Sequence, residues 1–175
     1  MPHALPAQIQ EKLTSWFSFP EEELYIQVAT SDNNHPHLRT MKLYDITSKG
    51  QLVLLSRTET RKWRDLQHNP HFSACFLNLS SGQLVAEGTV ELKTYHSDPV
   101  CAIKYWEKMP EEWQSNYLRA SPGTTHAIPP SFGIILAQPR SWELLEPNEE
   151  DYFKSTRLLF RLIDHSWHME TLKPA

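Results

Sequence analysis

Alternating hydrophobic and polar positions recur through most of the chain and predict a protein built mainly from β-strands. Leu24, Ile26 and Val28 fall on one side of their segment, while the residues between them fall on the other. A period of two residues is the signature of an extended strand with one buried face. On this basis we predict strands at residues 24–29, 38–44, 51–56, 71–77, 83–92, 132–137, 141–145, 157–163 and 167–172.

A smaller number of segments have helical spacing instead. Residues 6–19 place Ile9 and Leu13 on one side and end before Pro20, which predicts an amphipathic N-terminal helix. Further helices are predicted within residues 58–70, from Asp98-Pro99 onward with the proline in the first turn, and at residues 111–119. Short polar turns join most of the strands and favour antiparallel pairing.

These elements predict about eight or nine strands and three or four helices, wrapped as a closed antiparallel barrel with peripheral helices. Gly88 falls inside a strand and predicts a bulge or kink there. No repeat or linker divides the chain, so we expect one domain over residues 1–175.

Composition and charge exclude several classes of function. The net charge is −4, which argues against general nucleic-acid binding. Gly occurs only five times, which makes a glycine-rich phosphate loop a poor fit. No apolar run approaches membrane-spanning length, and the N-terminus lacks the pattern of a signal peptide, so we expect a cytoplasmic protein.

The helix predicted within residues 58–70 carries charge of an unusual sign. Its first turn contains Arg61, Lys62 and Arg64, although a helix N-terminus favours negative charge. Cations at that end are explained if they hold an anion such as a phosphate together with the helix. The alternative is a solvated basic face that is partly balanced by Glu59 and Asp65.

A set of motifs occurs in a familiar order along residues 24–174. The chain resembles the pyridoxamine 5′-phosphate oxidase-like, FMN-binding split-barrel family through residues 39–43, 50–56, 60–62, 69–70, 83–88 and 167–174. Each motif alone is weak, whereas the ordered set is specific. The resemblance implies a split barrel that forms a homodimer with FMN at two interface sites.

The resemblance also implies which residues bind the cofactor. Arg61 and Lys62 match the pair that holds the FMN phosphate, and Arg39 matches the residue that opens the strand along the flavin. The remaining matches are Thr40, Met41 and Lys42 on that strand, Ser56 as a hydroxyl ligand next to Leu55, which replaces a tyrosine, Gln83 near the flavin, and Arg157 at the flavin ring.

The substrate-binding half of the family pattern is less well kept. Tyr44 stands where the family has a lysine that contacts the substrate, and the late Arg-x-His motif is absent near residues 153–155. Leu145 stands where a tryptophan is expected against the flavin. Tyr105 remains a candidate contact for a substrate phosphate.

The sequence therefore favours an FMN-dependent oxidoreductase that oxidises a small amine or alcohol, with a B6 vitamer as one candidate and oxygen as acceptor. One alternative is a flavin- or haem-binding module without this activity. Another is a barrel that binds nucleotide or single-stranded nucleic acid, against which the acidic balance argues. His35 and His37 have a spacing that a metal site could use, but we predict no metal.

Overall fold

The computed structural model describes residues 4–123 and 127–173. In these residues the chain forms one nine-stranded sheet in which all pairings are antiparallel. The strands are β1 (Leu24–Asp32), β2 (His35–Leu43), β3 (Asp45–Ile46), β4 (Leu52–Arg57), β5 (His71–Asn78), β6 (Gly82–Thr94), β7 (Phe132–Glu146), β8 (Thr156–Ile163) and β9 (Ser166–Thr171). The helices are α1 (Ala7–Phe17), α2 (Arg61–His68), α3 (Pro99–Glu107) and α4 (Glu111–Arg119).

The sheet curls into a half-barrel, which confirms the predicted mainly β fold of the split-barrel type. Its strands follow the order β2-β1-β5-β6-β7-β4-β3, and β8 and β9 extend from β7. The prediction of a closed barrel is wrong, because β2 lies near β4 without a hydrogen-bonded ladder between them. Residues of β2 and Leu55 of β4 line a common cavity.

The segments predicted as two strands at residues 132–137 and 141–145 form a single strand, β7. Pro139, which interrupts the hydrophobic pattern, is tolerated because it lies opposite a register shift at Gly88 of β6. A Cβ atom at Gly88 would lie 2.0 Å from the carbonyl oxygen of Gln138, so only glycine fits this predicted bulge. The short strand β3 carries too few residues for a pattern and was not predicted.

The predicted helices form close to their expected bounds. α1 covers the main core with Ile9 and Leu13, which are fully or almost fully buried. α3 begins at Pro99, and the side chain of its N-cap residue Asp98 accepts a hydrogen bond from the Cys101 backbone N–H at 3.0 Å. α2 lies on the sheet through Trp63 and Leu66, which are both buried.

The turn between β1 and β2 is tight, because Asn33 and Asn34 both adopt positive φ angles, of 49° and 64°. It sets β2 in full register with β1 from His35 to Leu43. None of the helices described is long and apolar enough to cross a bilayer. Pro174 of the family-like tail and residues 124–126 of the loop after α4 lie outside the described residues.

Candidate functional site

A cavity of about 860 Å³ lies beside β2, where the barrel is split. Sites for small molecules and cofactors usually measure roughly 300–1,000 Å³. The cavity is lined by Tyr25, Pro36, His37, Leu38, Arg39, Thr40, Met41, Lys42, Tyr44, Leu55, Thr60, Arg61, Lys62 and Trp113. These residues come from β1, β2, the residue after β2, β4, and the helices α2 and α4.

The charges that line this cavity are all positive. Arg39, Lys42, Arg61 and Lys62 contribute to its wall, and no Asp or Glu is among the lining residues. Like charges repel one another strongly when they are withdrawn from water, so such a cluster favours an anionic ligand. The cavity therefore meets the electrostatic requirement of a phosphate-bearing molecule.

The N-terminus of α2 leaves room for such an anion. Thr60 occupies the N-cap position, but its side chain makes no capping hydrogen bond to the helix. Its hydroxyl donates instead to the Arg57 carbonyl oxygen at 2.8 Å and lies 3.0 Å from the Ser56 hydroxyl. A helix N-terminus without a side-chain cap keeps unpaired N–H groups that an anion can accept from.

Ser56 connects the end of β4 to this cluster. It is 4% exposed, and its hydroxyl oxygen accepts a hydrogen bond from the Lys62 ammonium at 3.4 Å. Lys62 thus has a fixed partner while it lines the cavity. Ser56 itself does not line the cavity, so in this arrangement it orients a cation that does.

Two of these cations have pKa values below their ordinary values, and burial is the main cause. Burial lowers the pKa of Lys62, and the nearby charge of Arg39 lowers it further. Burial also lowers the pKa of Arg39; Arg61 adds to this effect, whereas Asp65 opposes it. An anion bound among these side chains would relieve both effects.

A buried carboxylate lies behind the cations. Asp65 of α2 is 2% exposed, and its Oδ2 atom accepts hydrogen bonds from the Thr30 hydroxyl at 2.6 Å and from the His37 Nδ1 at 2.9 Å. An Nη atom of Arg39 lies 3.6 Å from the same oxygen. Burial disfavours its ionisation, but these hydrogen bonds and charges outweigh burial and lower the pKa of Asp65.

The opposite end of the cavity is aromatic. The Lys42 ammonium forms an ion pair with Glu23 and lies 5.5 Å from the centre of the Trp113 ring. Tyr25 lies next to Lys42 in the β-ladder, and its hydroxyl donates to Glu23 at 3.1 Å. Lys42 follows His37 by five positions along β2, which corresponds to about 16 Å of extended chain. The cavity is therefore elongated, with a cationic end and an aromatic end.

Tyr44 lines the aromatic end and is supported from behind by Tyr105. Their ring centres lie 6.2 Å apart at an interplanar angle of 83°. Tyr105 is 2% exposed, does not line the cavity, and donates a hydrogen bond to Asp45 at 3.3 Å. Burial and the charge of Asp45 raise the pKa of Tyr44, so its hydroxyl stays neutral at physiological pH.

Eight of the twelve residues predicted for the site line this cavity, whereas Ser56 and Tyr105 only contact residues that line it, and two more lie elsewhere. Eight line it, namely Arg39, Thr40, Met41, Lys42, Tyr44, Leu55, Arg61 and Lys62. Gln83 and Arg157 lie elsewhere, on β6 and β8, where both pair in register with Leu145 of β7. Arg157 forms an ion pair of 2.7 Å with Glu143. Gln83, Leu145 and Arg157 thus form a row across three neighbouring strands, which we call the distal row.

Sequence reasoning missed three residues that shape the cavity. His37 shares a face of β2 with Arg39, so its two-residue spacing was the available signal. Asp65 gave no signal, because an acid in a charged helix usually faces solvent. Trp113 gave no signal either, because tryptophan side chains are more often packed in a core or an interface, yet it lines the cavity and is 38% exposed.

Comparisons with known proteins agree with this arrangement. A family model described as pyridoxamine 5′-phosphate oxidase matches residues 14–146, which include all the cavity-lining residues. Arg157 falls outside the matched range. No curated protein matches the chain.

Several solved structures share the fold. A pyridoxamine 5′-phosphate oxidase-related, FMN-binding protein from Nostoc punctiforme PCC 73102 matches with a TM-score of 0.76 and 20% identity, covering 98% of this chain and 100% of that one. PhzG from Burkholderia lata 383, in complex with tetrahydrophenazine-1-carboxylic acid, has a TM-score of 0.75 and 16% identity, covering 97% and 94%. A haem-binding protein from Mycobacterium smegmatis has a TM-score of 0.57 and 13% identity, covering 98% and 60%. At such identities the similarity concerns the fold alone.

Proposed function

Since this chain belongs to the pyridoxamine 5′-phosphate oxidase family, we propose that it is a homodimeric, cytoplasmic flavoprotein that binds FMN in the cavity beside β2. The proposed activity is oxidation of a small amine or alcohol, with dioxygen as electron acceptor and a B6 vitamer as one candidate substrate. The observation that carries the proposal is the cavity itself, which is elongated and lined by cations without any lining carboxylate.

The cationic end fits the phosphate of FMN. Arg61 and Lys62 lie at the N-terminus of α2 and Arg39 faces them from β2, so an anion there would meet charges from two sides. Charge-assisted hydrogen bonds from Arg and Lys are among the strongest that a protein can offer a phosphate. Ser56 supports this role by orienting Lys62.

The remaining wall fits the ring system. Thr40, Met41 and Leu55 line the cavity between its two ends and offer a mixed, largely apolar surface to a flat ligand. Bound FMN would supply the capacity to accept a hydride, which no side chain of the protein can supply. The contribution of the chain is to hold the phosphate, exclude water from the rings and orient the substrate.

The distal row has no role in the cavity of its own chain, and we assign it to the second subunit. In a two-fold dimer each surface is used twice, so the distal row of one subunit can complete the cavity of the other. Gln83 would then offer its amide to the ring system, and Arg157 would offer positive charge where electrons accumulate on reduction.

At the aromatic end we propose that Tyr44 contacts the substrate directly. Tyr105 would act through Tyr44, by fixing the position of its ring from the buried side. Lys42 is paired with Glu23, so less of its charge is available to an incoming anion. These features favour a substrate with an aromatic or uncharged body near this end.

A second candidate function is a flavin- or haem-binding module without pyridoxamine phosphate oxidase activity. Tyr44 favours this alternative, because it presents a neutral hydroxyl where a phosphorylated substrate would need a cation. Oxygen consumption with pyridoxamine 5′-phosphate distinguishes the two. FMN binding without turnover of this substrate would support the module or a different substrate.

The decisive experiment compares FMN with riboflavin, which lacks the phosphate. In an Arg61→Ala/Lys62→Ala variant we expect the affinity for FMN to fall by about a hundredfold or more. The affinity for riboflavin should stay nearly constant. Arg64→Ala is the matched control, because Arg64 belongs to the same helix but is exposed and does not line the cavity. Failure of the unmodified protein to bind FMN, or equal losses for both ligands, would contradict the proposal.

A further inference from the structure

The buried carboxylate of Asp65 is the feature that the proposed function leaves unexplained. A negative charge close to a phosphate site weakens phosphate binding unless it serves another purpose. Asp65 is held in place by Thr30 of β1 and touches two side chains of β2, His37 and Arg39, through one oxygen atom. Its geometry is that of a support behind the side chains that face the ligand.

The hydrogen bond to Asp65 decides which nitrogen of His37 is available to a ligand. The Nδ1 atom lies 2.9 Å from the carboxylate and must carry a hydrogen to donate to it. The ring lines the cavity, with its side chain 14% exposed. Nε2 is therefore the nitrogen left for a ligand, and it becomes a donor only when the ring is protonated.

His37 and Arg39 converge on one point of the cavity wall. The His37 Nδ1 and the Arg39 Nη2 atoms lie 2.9 Å and 3.6 Å from the same oxygen of Asp65. Arg39 in turn is close enough to Arg61 and Lys62 to shift pKa values in this cluster. His37 thus belongs to the cationic end of the cavity rather than to the polar surface of the turn before β2.

We propose that His37, held by Asp65, is a pH-dependent phosphate ligand that donates a hydrogen bond from Nε2 to the bound anion when its ring is protonated. The inference rests on the proposed function, because the anion is taken to be the phosphate of FMN. It assigns His37 and Asp65 as a unit: His37 contacts the ligand, and Asp65 is a positioning residue that fixes the ring and stabilises its charge.

The charged groups around His37 explain why its protonation and anion binding go together. Asp65 on α2 accepts the hydrogen bond from the His37 ring, and Arg39 on β2 lines the same cavity as Arg61 and Lys62 on α2. A phosphate placed among these cations neutralises them and adds an acceptor for a proton on Nε2. Binding of the phosphate is therefore expected to be accompanied by uptake of a proton at His37.

The test measures the dissociation constants of FMN and riboflavin between pH 5.5 and 8.5 in the unmodified protein and in a His37→Gln variant. Gln keeps hydrogen-bonding capacity but cannot carry the charge. The second ionisation of the FMN phosphate also falls in this range, at about pH 6, and it contributes to the profiles of both proteins, so the test compares the two profiles rather than either one alone. His68→Gln is the matched control, because His68 is exposed near the other end of α2 and does not line the cavity.

At pH 6 we expect the unmodified protein to bind FMN about tenfold more tightly than the His37→Gln variant, as for one charge-assisted hydrogen bond. The ratio should approach one at pH 8.5, and riboflavin should show no such difference. Asp65→Asn should also make FMN affinity less dependent on pH than it is in the unmodified protein. Parallel pH profiles of the unmodified protein and the His37→Gln variant would overturn the assignment of His37 while leaving FMN binding intact.

Nitrogen NMR of the imidazole rings gives a readout that needs neither activity nor a variant. In the free protein His37 should show the tautomer protonated at Nδ1, and FMN at neutral pH should shift its signals toward the doubly protonated ring. Riboflavin should leave them unchanged. A ring that stays neutral with FMN bound would refute the inference, whereas absence of FMN binding at every pH would refute the proposed function itself.

Discussion

The Trp63 ring packs directly against the backbone of Gly133, so closely that a Cβ atom at Gly133 would lie 2.4 Å from a ring carbon. Trp63 belongs to α2, and Gly133 pairs with Ser56 across the ladder between β7 and β4. This contact sets how near α2 approaches the sheet. It thereby sets the position of Arg61 and Lys62 at the start of the helix relative to the cavity.

Gly133→Ala should therefore move α2 away from the sheet. We expect a loss of about 1–3 kcal/mol in the free energy of unfolding, as for an overpacked core. FMN affinity should fall toward that of riboflavin, because the phosphate contacts depend on the position of α2. Urea unfolding and flavin titration provide the measurements. Phe160→Leu, in the core on β8, is a control that should lower stability without changing the preference for FMN over riboflavin.

Asp65→Asn should change the acid stability of the fold. The pKa of Asp65 in the fold lies below its unfolded value of about 4, so the ionised group stabilises the fold above that pH. This contribution is lost as the pH falls through the lowered pKa. The variant should be less stable by about 2 kcal/mol at pH 7, and the difference should shrink in acid.

Thermal or urea unfolding at pH 7 and pH 3 measures this difference. Asp164→Asn serves as the control, since Asp164 is exposed and its positive φ of 45° suits Asn equally well. A stability gap between Asp65→Asn and the unmodified protein that stays constant from pH 7 to pH 3 would contradict the role given to the ionised carboxylate.

Lys62 should make FMN binding sensitive to alkaline pH. Its pKa is lowered in the free protein, and a bound phosphate favours its charged form, so binding takes up a proton where free Lys62 is neutral. FMN affinity relative to riboflavin should decline as the pH rises toward the ordinary lysine pKa of about 10.4. Lys62→Arg should remove the decline, because the guanidinium stays charged throughout. The same decline in both proteins would assign it to another group.

Mixed dimers test whether the distal row completes the cavity of the other subunit. If it does, Arg61→Ala and Arg157→Ala each damage both sites of their own homodimers. Co-expression of the two variants should restore one intact site per mixed dimer, because both changes then fall in the other site. Tagged mixed dimers can be purified and titrated with FMN. Sedimentation of the unmodified protein as a monomer, or mixed dimers as weak as Arg61→Ala alone, would contradict the arrangement.

The parts of the fold that follow a local pattern could be predicted from the sequence. α1 and most of the strands have one buried face, and that face leaves a clear period in the residue types. β7 was not predicted as one strand, because Pro139 breaks the pattern and is accommodated only by the register shift at Gly88 on the neighbouring strand. Whether a proline is tolerated in a strand therefore depends on how β6 pairs with β7, which the sequence of one strand alone does not show.

The site was predictable where charge contradicted local preference. Arg61 and Lys62 are unfavourable at the start of a helix, which indicated an anion site, and both residues line the cavity. Asp65 could not be recognised, because its burial depends on Thr30 and His37, which lie far from it in the sequence. Trp113 could not be placed either, because its exposure depends on how α4 meets Lys42.

The strand that forms the floor of the cavity, β2, is bonded along one side only, to β1, in the part of the chain described. Its other edge lacks the second row of backbone partners that an interior strand has. We expect this edge to be the first part of the sheet to open, exchanging amide hydrogens and admitting proteases when the cavity is empty. A ligand seated against it adds the missing lateral support, so the supply of cofactor would also govern how long each copy of the protein survives in the cell.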